Sequence, residues 1–241
     1  MRRIAVAVLV AFACATPSVS ADERRGGDDH RAAVVPAVNL AGNSGGELLG
    51  DWYFRNLSLP ADRSPFGGSA DLCLDLGRHG KVLSPAGGID RGGFIEMTCT
   101  VKVGRPVLLV ETSADCSSAE EPPFFGEDAF EQRRCVLDFL RGLDITSITV
   151  SVDGAPPVDI HRPRFLAVSP QRQVVFPPNP VFGATPGPAT YVAAGWIAEI
   201  RGMKKGEHVV RATLNVVLDG APATFPFIVH FNVVGGGRHD D

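Results

Sequence analysis

Three groups of residues in this chain are of the types that chemistry needs. The first is Gly42-Asn43-Ser44-Gly45-Gly46, whose serine sits in a glycine-rich setting like that of a nucleophilic hydrolase. Such a serine works only on a sharp strand-to-helix turn, with a histidine base and an acid beside it. No strong strand precedes the motif, and helical spacing follows it, so Asn43 and Ser44 are expected to cap a helix. The second group is the six histidines. His79, His161, His208 and His230 stand singly, without the H-x-H or H-x-x-x-H spacing that fixes a pair of metal ligands. Strand alternation sets His208 on the side of Val210 and His230 on the opposite side, with Arg211 and Asn215. Those two are not expected to share a metal. The sequence assigns no catalytic residue, metal ligand or cofactor.

The third group is acidic. Between Glu111 and Glu131 lie seven acids (Glu111, Asp115, Glu120, Glu121, Glu127, Asp128 and Glu131) and no Lys or Arg. Calcium takes roughly six to eight oxygens from loops of this kind. The D-x-[DN]-x-[DN]-G order is missing, however, and Pro122-Pro123 interrupts the run. The plainer expectation is a solvated loop whose acids partly favour the N-terminus of the next helix.

Cysteine usage speaks to compartment. Arg2 and Arg3, an apolar run from Ile4 to Ala15, and Val19-Ser20-Ala21 before Asp22 read as a secretory signal peptide over 1–21. A lipoprotein reading through Cys14 fits poorly, because Phe12 stands where a small residue is wanted. Cys73, Cys99, Cys116 and Cys135 then remain, which allows two disulfides in three connectivities. Sequential pairing is expected. Cys99 shares an inward strand face with Ile95 and Met97, so a bond from Cys73 would anchor the turn-rich 74–93 segment. Cys116 follows the apolar Val107–Val110 strand, and Cys135 lies one helical turn before Phe139 on a helix that must dock nearby. Each closure is worth on the order of 3–4 kcal/mol in the chain-entropy model.

The net charge is −4, and loss of Arg2 and Arg3 with the leader makes it more negative. This argues against nucleic acid or an anionic membrane as partner. No later stretch approaches the roughly 20 apolar residues of a membrane span. A protein or small-molecule ligand is the remaining class of partner.

The elements that must hold these residues are mostly strands. The chain has 27 glycines and 19 prolines, with short periodic segments between them. Helical spacing marks Glu47–Asn56, through Leu48, Leu49, Trp52 and Tyr53, and again Asp128–Leu143, which carries Cys135. Alternation or apolar runs mark strands at Phe94–Val101, Val107–Val110, Ile148–Val152 with a return at Val158–Ile160, Arg164–Ser169, Gln173–Phe176, Tyr191–Ile200, Glu207–Leu218 and Phe225–Val234. The last two form a hairpin around Asp219-Gly220. Its inner face is expected to set Val210, Ala212, Leu214 and Val216 against Phe225, Phe227, Val229, Phe231 and Val233. The predicted fold is mainly β: a single β-sandwich over 34–234, immunoglobulin-like or related, with an N-terminal helix and one inserted helix. Disordered segments are expected at 22–33 and 235–241.

The longest irregular stretch, Phe176–Pro188, is stiffened by its prolines and offers Phe176, Val181 and Phe182 as a binding loop. The opposing expectation is that Phe176 and Phe182 plug the end of the core.

Several short segments taken together resemble an uncharacterised family of exported bacterial proteins. They are Trp52 with Leu57-Ser58-Leu59-Pro60, then Cys73, Gly80–Leu83 as a strand, Cys99, the acidic run to Cys116, the helix with Cys135, Val152-Asp153-Gly154, Gly195-Trp196 and Gly206-Glu207-His208. The resemblance implies a secreted, disulfide-stapled β-sandwich and implies no activity. Two functions stay open. One is a secreted, non-enzymatic binding or interaction module. The other is an extracytoplasmic hydrolase whose carboxylates and histidine, His161 or His208, are assembled by folding.

Overall fold

The computed structural model describes residues 32–68, 70–88 and 94–235. The expected signal peptide, nearly all of the expected leader, and the tail after Gly235 lie outside them. Ala33, at the end of the expected leader, already belongs to a strand, β1 (Ala33–Pro36). A two-residue ladder, β2 (Asn39–Leu40) with β3 (Asn43–Ser44), leads into helix α1 (Gly45–Leu57). Next come β4 (Leu72–Leu76), β5 (Val82–Ala86), β6 (Ile95–Lys102), β7 (Val107–Ser117) and helix α2 (Ala129–Gly142). The chain continues through β8 (Ile145–Val152), β9 (Val158–Asp159), β10 (Leu166–Val168) and β11 (Arg172–Phe176). Three long strands close it: β12 (Gly187–Arg201), β13 (Gly206–Leu218) and β14 (Ala221–Val234).

The helices form where their caps and apolar spacing direct. Ser44 accepts the backbone N–H of Glu47 at 3.2 Å, and the Glu47 carboxylate accepts the Ser44 N–H at 2.7 Å. This reciprocal pair satisfies two N–H groups that the first turn leaves open. Asp128 caps α2 by accepting from the N–H groups of Phe130 and Glu131, each at 2.9 Å.

Besides the β2–β3 ladder, the described residues build two larger sheets. In the first, the order is β1-β12-β7-β5-β4, with β10 and β11 also pairing along β12. The second runs β6-β14-β13-β8-β9, and its β6–β14 pair is parallel. The β13–β14 hairpin sets Val210 opposite Val229, Ala212 opposite Phe227 and Leu214 opposite Phe225, turning at Asp219-Gly220. Between the sheets, Leu109, Val192, Ala194, Ala198 and Ile200 share one core with Val150, Val210, Val229 and Phe231. On the other face of the first sheet, Leu48, Leu49, Trp52 and Tyr53 of α1 pack with Leu108, Val110, Tyr191 and Ile197. The layers are helix, sheet, sheet, a sandwich with one face covered by α1.

Disulfides join Cys73 to Cys99 and Cys116 to Cys135. The first clamps β4 of one sheet to β6 of the other, and the second pins α2 to β7.

Local departures from the sequence reading have physical causes. The expected strand over Gly80–Leu83 opens as a 3-10 turn at Arg78–Gly80, because Gly77, His79 and Gly80 all take positive φ. Likewise Pro163 starts a 3-10 turn at Pro163–Phe165, which delays the expected Arg164 strand to Leu166. The largest departure is β7, which does not end at Val110 but runs on through the acidic residues to Ser117.

Candidate functional site

A single extra residue organises the site. Along β7 the partner of Val110 is Ile197 and that of Ser113 is Gly195, so Glu111 and Thr112 together oppose Trp196. This is a β-bulge. It reverses the strand's facing: Leu108 and Val110 point toward α1, whereas Ala114 and Cys116 point into the sandwich. Ser113 and Asp115 are thereby brought to the α1 side. Gly195 permits the close approach, since a Cβ there would collide with Ser113 and with the carbonyl of Thr112.

Among the described residues, the opposite edge of β7 is paired only at its two ends. Its ladder with β5 has one pair, Leu83 with Val107, and the next bridge on that side is Ser117 with Phe125. Both backbone groups of Ser117 face this edge, accepting from Gly126 and donating to the Phe124 carbonyl. Strand alternation turns the backbone groups of Asp115 and Ser113 the same way. Consistent with this, Ala193, opposite Asp115, spends its own N–H and C=O on Ser169.

A cavity of about 580 Å³ fills the gap. The end of β5 (Pro85 to Gly87) and Phe124 bound it, with Phe139 from α2 and Leu214, Phe225 and Phe227 from the β13–β14 hairpin. Trp52, Tyr53, Phe66 and Phe182 make an aromatic wall, with adjacent ring centroids 5.2–5.4 Å apart. Phe66 is held by its loop, where Ser64 donates to the Asn56 carbonyl at the end of α1. Phe182 sits at a φ of 58° in a 3-10 turn, a left-handed conformation that a bulky side chain adopts only when its surroundings impose it. The turn carries its ring to Phe66.

Three carboxyl groups line this apolar space: Glu111, Asp115 and Glu120. Burial alone pushes the Glu111 carboxyl up to about 8. Burial, with Glu120 beside it, holds Asp115 well above the ordinary aspartate value. Burial also raises Glu120, against hydrogen bonding to Ser117 that pulls it down. Asp115 Oδ2, Glu120 Oε2 and Thr112 Oγ1 are buried without a hydrogen-bond partner. Titratable groups with such perturbed values in a cleft are a physical marker of function. The site can supply protonated carboxyls as donors, or carboxylates to a cation.

The residues singled out by sequence are dispersed. Phe176 and Val181 are 2% and 1% exposed and belong to the core under α1, while Phe182 is 51% exposed at the cavity. Ser44 is a helix cap with no histidine partner. His208 pairs with Asp153 at 2.6 Å and with the Lys204 carbonyl at 2.8 Å, and His230 with Glu96 at 2.7 Å. His161 stacks edge-on against Trp196. None of these histidines lines the cavity. The expected solvated acidic loop is corrected for Asp115 and Glu120, 4% and 7% exposed, because the strand continues through the first and Ser117 holds the turn around the second. Asp128 alone of the seven is the helix cap.

Sequence reasoning counted Glu111, Asp115 and Glu120 among the acids of a solvated loop and Tyr53 within a helical stripe, and it did not single out Phe66. A signal was present: Ser113, Asp115 and Ser117 alternate with Ala114 and Cys116, the period of a strand. Among the described residues, no group of three or more His, Cys, Asp or Glu side chains is placed to hold a metal ion. No helix among them is long and apolar enough to cross a membrane. Comparison with known proteins found no matching family model, no similar curated protein and no similar solved structure.

Proposed function

We propose that the chain is an exported, non-enzymatic binding module and that the cavity along β7 is its ligand site. The observation that carries this reading is the cavity itself, about 580 Å³ with a mainly apolar lining rich in aromatic rings and a few buried polar groups. Small-molecule sites have this size and make-up. Export is supported by the two disulfides, which persist in oxidising compartments, and agrees with the resemblance to exported bacterial proteins. Affinity selection from an extracytoplasmic extract, read by mass spectrometry, tests the reading. A small molecule should be enriched on the native protein and lost on a Leu214→Trp variant that fills the cavity. Equal enrichment on both would remove the cavity from the function.

One observation favours hydrolysis instead. Asp115 and Glu120 are neighbouring carboxyls that burial pushes toward the protonated form a general acid needs. Against it, the Ser113 hydroxyl is engaged by Tyr53 rather than by a base. Turnover of glycoside or ester substrates that disappears in Glu120→Gln would favour this second reading.

A further inference from the structure

Resting on the cavity as a ligand site, we propose that its ligand is a small organic ammonium ion. Its N–H groups would donate to Asp115 and Glu120, and its apolar part would lie against Trp52, Tyr53, Phe66 and Phe182.

The lining decides the sign of the charge. It contains Glu111, Asp115 and Glu120 and, among the described residues, no Lys, Arg or His. Among the described residues, the titratable groups that face the space are Tyr53 from α1, Glu111 and Asp115 from β7, and Glu120 from the loop beyond it. All are acids, so any charge they develop is negative, and an anionic ligand is repelled at short range.

Two unpartnered atoms decide the chemistry at the charge. Asp115 Oδ2 and Glu120 Oε2 have no hydrogen-bond partner on residues more than nine-tenths buried. Buried carboxyl oxygens are ordinarily satisfied, and an orphan acceptor is costly to keep. An ammonium group offers up to three donors, enough in number for both oxygens. The ring wall serves the same ligand, since aromatic faces attract cations most strongly where water is excluded.

The pair also regulates its own charge. Burial shifts both carboxyls toward the protonated form when no cation is near, Asp115 well above its ordinary value and Glu120 up to about 7. An arriving ammonium ion favours their ionised form, so binding expels a proton and tightens as pH rises.

Calorimetry on the oxidised protein tests this with three probes of one shape: 2-phenylethylammonium, neutral 2-phenylethanol and anionic 3-phenylpropanoate. The ammonium should bind about tenfold more tightly than the alcohol at about pH 8.5, lose most of that advantage near about pH 6, and leave the carboxylate as the weakest. Its binding enthalpy should vary with the ionisation enthalpy of the buffer, the mark of a released proton. Asp115→Asn and Glu120→Gln should each erase the advantage of the ammonium. Where a variant unfolds, the buffer dependence in the native protein decides. Equal binding of ammonium and alcohol at both pH values would overturn the cation and leave the cavity as a ligand site, with Asp115 and Glu120 a proton-sharing pair. Failure of all three probes would count against the cation and the ligand site together.

Discussion

The Tyr53 hydroxyl donates to Ser113 Oγ at 2.9 Å, joining α1 to the strand just past its bulge. The bond spans sixty residues of sequence and forms one corner of the cavity. It requires both the helical phase that aims Tyr53 and the extra residue that turns Ser113 toward it.

Tyr53→Phe should lower stability by about 0.5–1.5 kcal/mol, as should Ser113→Ala. Because each removes the same bond, the double variant should cost clearly less than the sum. Urea denaturation of the four proteins measures the coupling. Strict additivity would mean that the bond contributes nothing in solution.

Stability should fall as pH rises through the neutral range. Folded Glu111 keeps its proton up to about 8, whereas the unfolded chain releases it near the ordinary glutamate value of 4.5. Between those values unfolding frees a proton, so the contribution is complete below the lower value and gone above the upper one. His208 acts in the same direction: burial pulls it down, but hydrogen bonds to Asp153 and to the Lys204 carbonyl carry it above its ordinary value. Glu111→Gln separates the two. Compared with the native chain, the variant should nearly match it at about pH 5 and exceed it by on the order of 4 kcal/mol at about pH 8.5. Parallel stability curves for the two proteins would show that Glu111 ionises freely in the fold.

The two phenylalanines of the Phe176–Pro188 stretch should part company. Phe176, 2% exposed, is core, and its truncation to alanine should cost about 3–5 kcal/mol. Phe182, 51% exposed, should cost less than about 1 kcal/mol on truncation. The Phe182→Ala variant should nevertheless bind 2-phenylethylammonium more weakly. A large stability loss with unchanged binding would make Phe182 a packing residue.

Much of the sandwich could be read from periodicity. In β6, Met97, Cys99 and Val101 are buried while Glu96, Thr98 and Thr100 are exposed, as alternation requires. The β13–β14 hairpin has the facing that its apolar residues dictate, and both helices begin at their caps. The candidate site resisted the same approach. A bulge breaks the period of β7 where the acids begin, so Glu111 and Thr112 look like the end of a strand. Counting acids as charged then makes the segment look solvated. Burial pushes Glu111, Asp115 and Glu120 toward the neutral form, and that shift follows from tertiary surroundings that no local window contains. The aromatic wall was hidden for another reason: Phe66, which packs on Trp52, meets Phe182 from a stretch of chain more than a hundred residues away.

The bulge in β7 makes the cavity depend on parity. Val107 to Val110 and Ser113 to Ser117 both pair with β12, but only with two residues set against Trp196 do both pairings hold while Asp115 faces Tyr53 and Cys116 reaches Cys135. Remove one residue at Glu111 or Thr112 and every later side chain changes sides. The carboxyl of Asp115 would exchange places with the sulfur of Cys116, and ligand site and staple would be lost in one step. Replacing side chains one by one probes what these positions contain; the arrangement itself is written in how many there are.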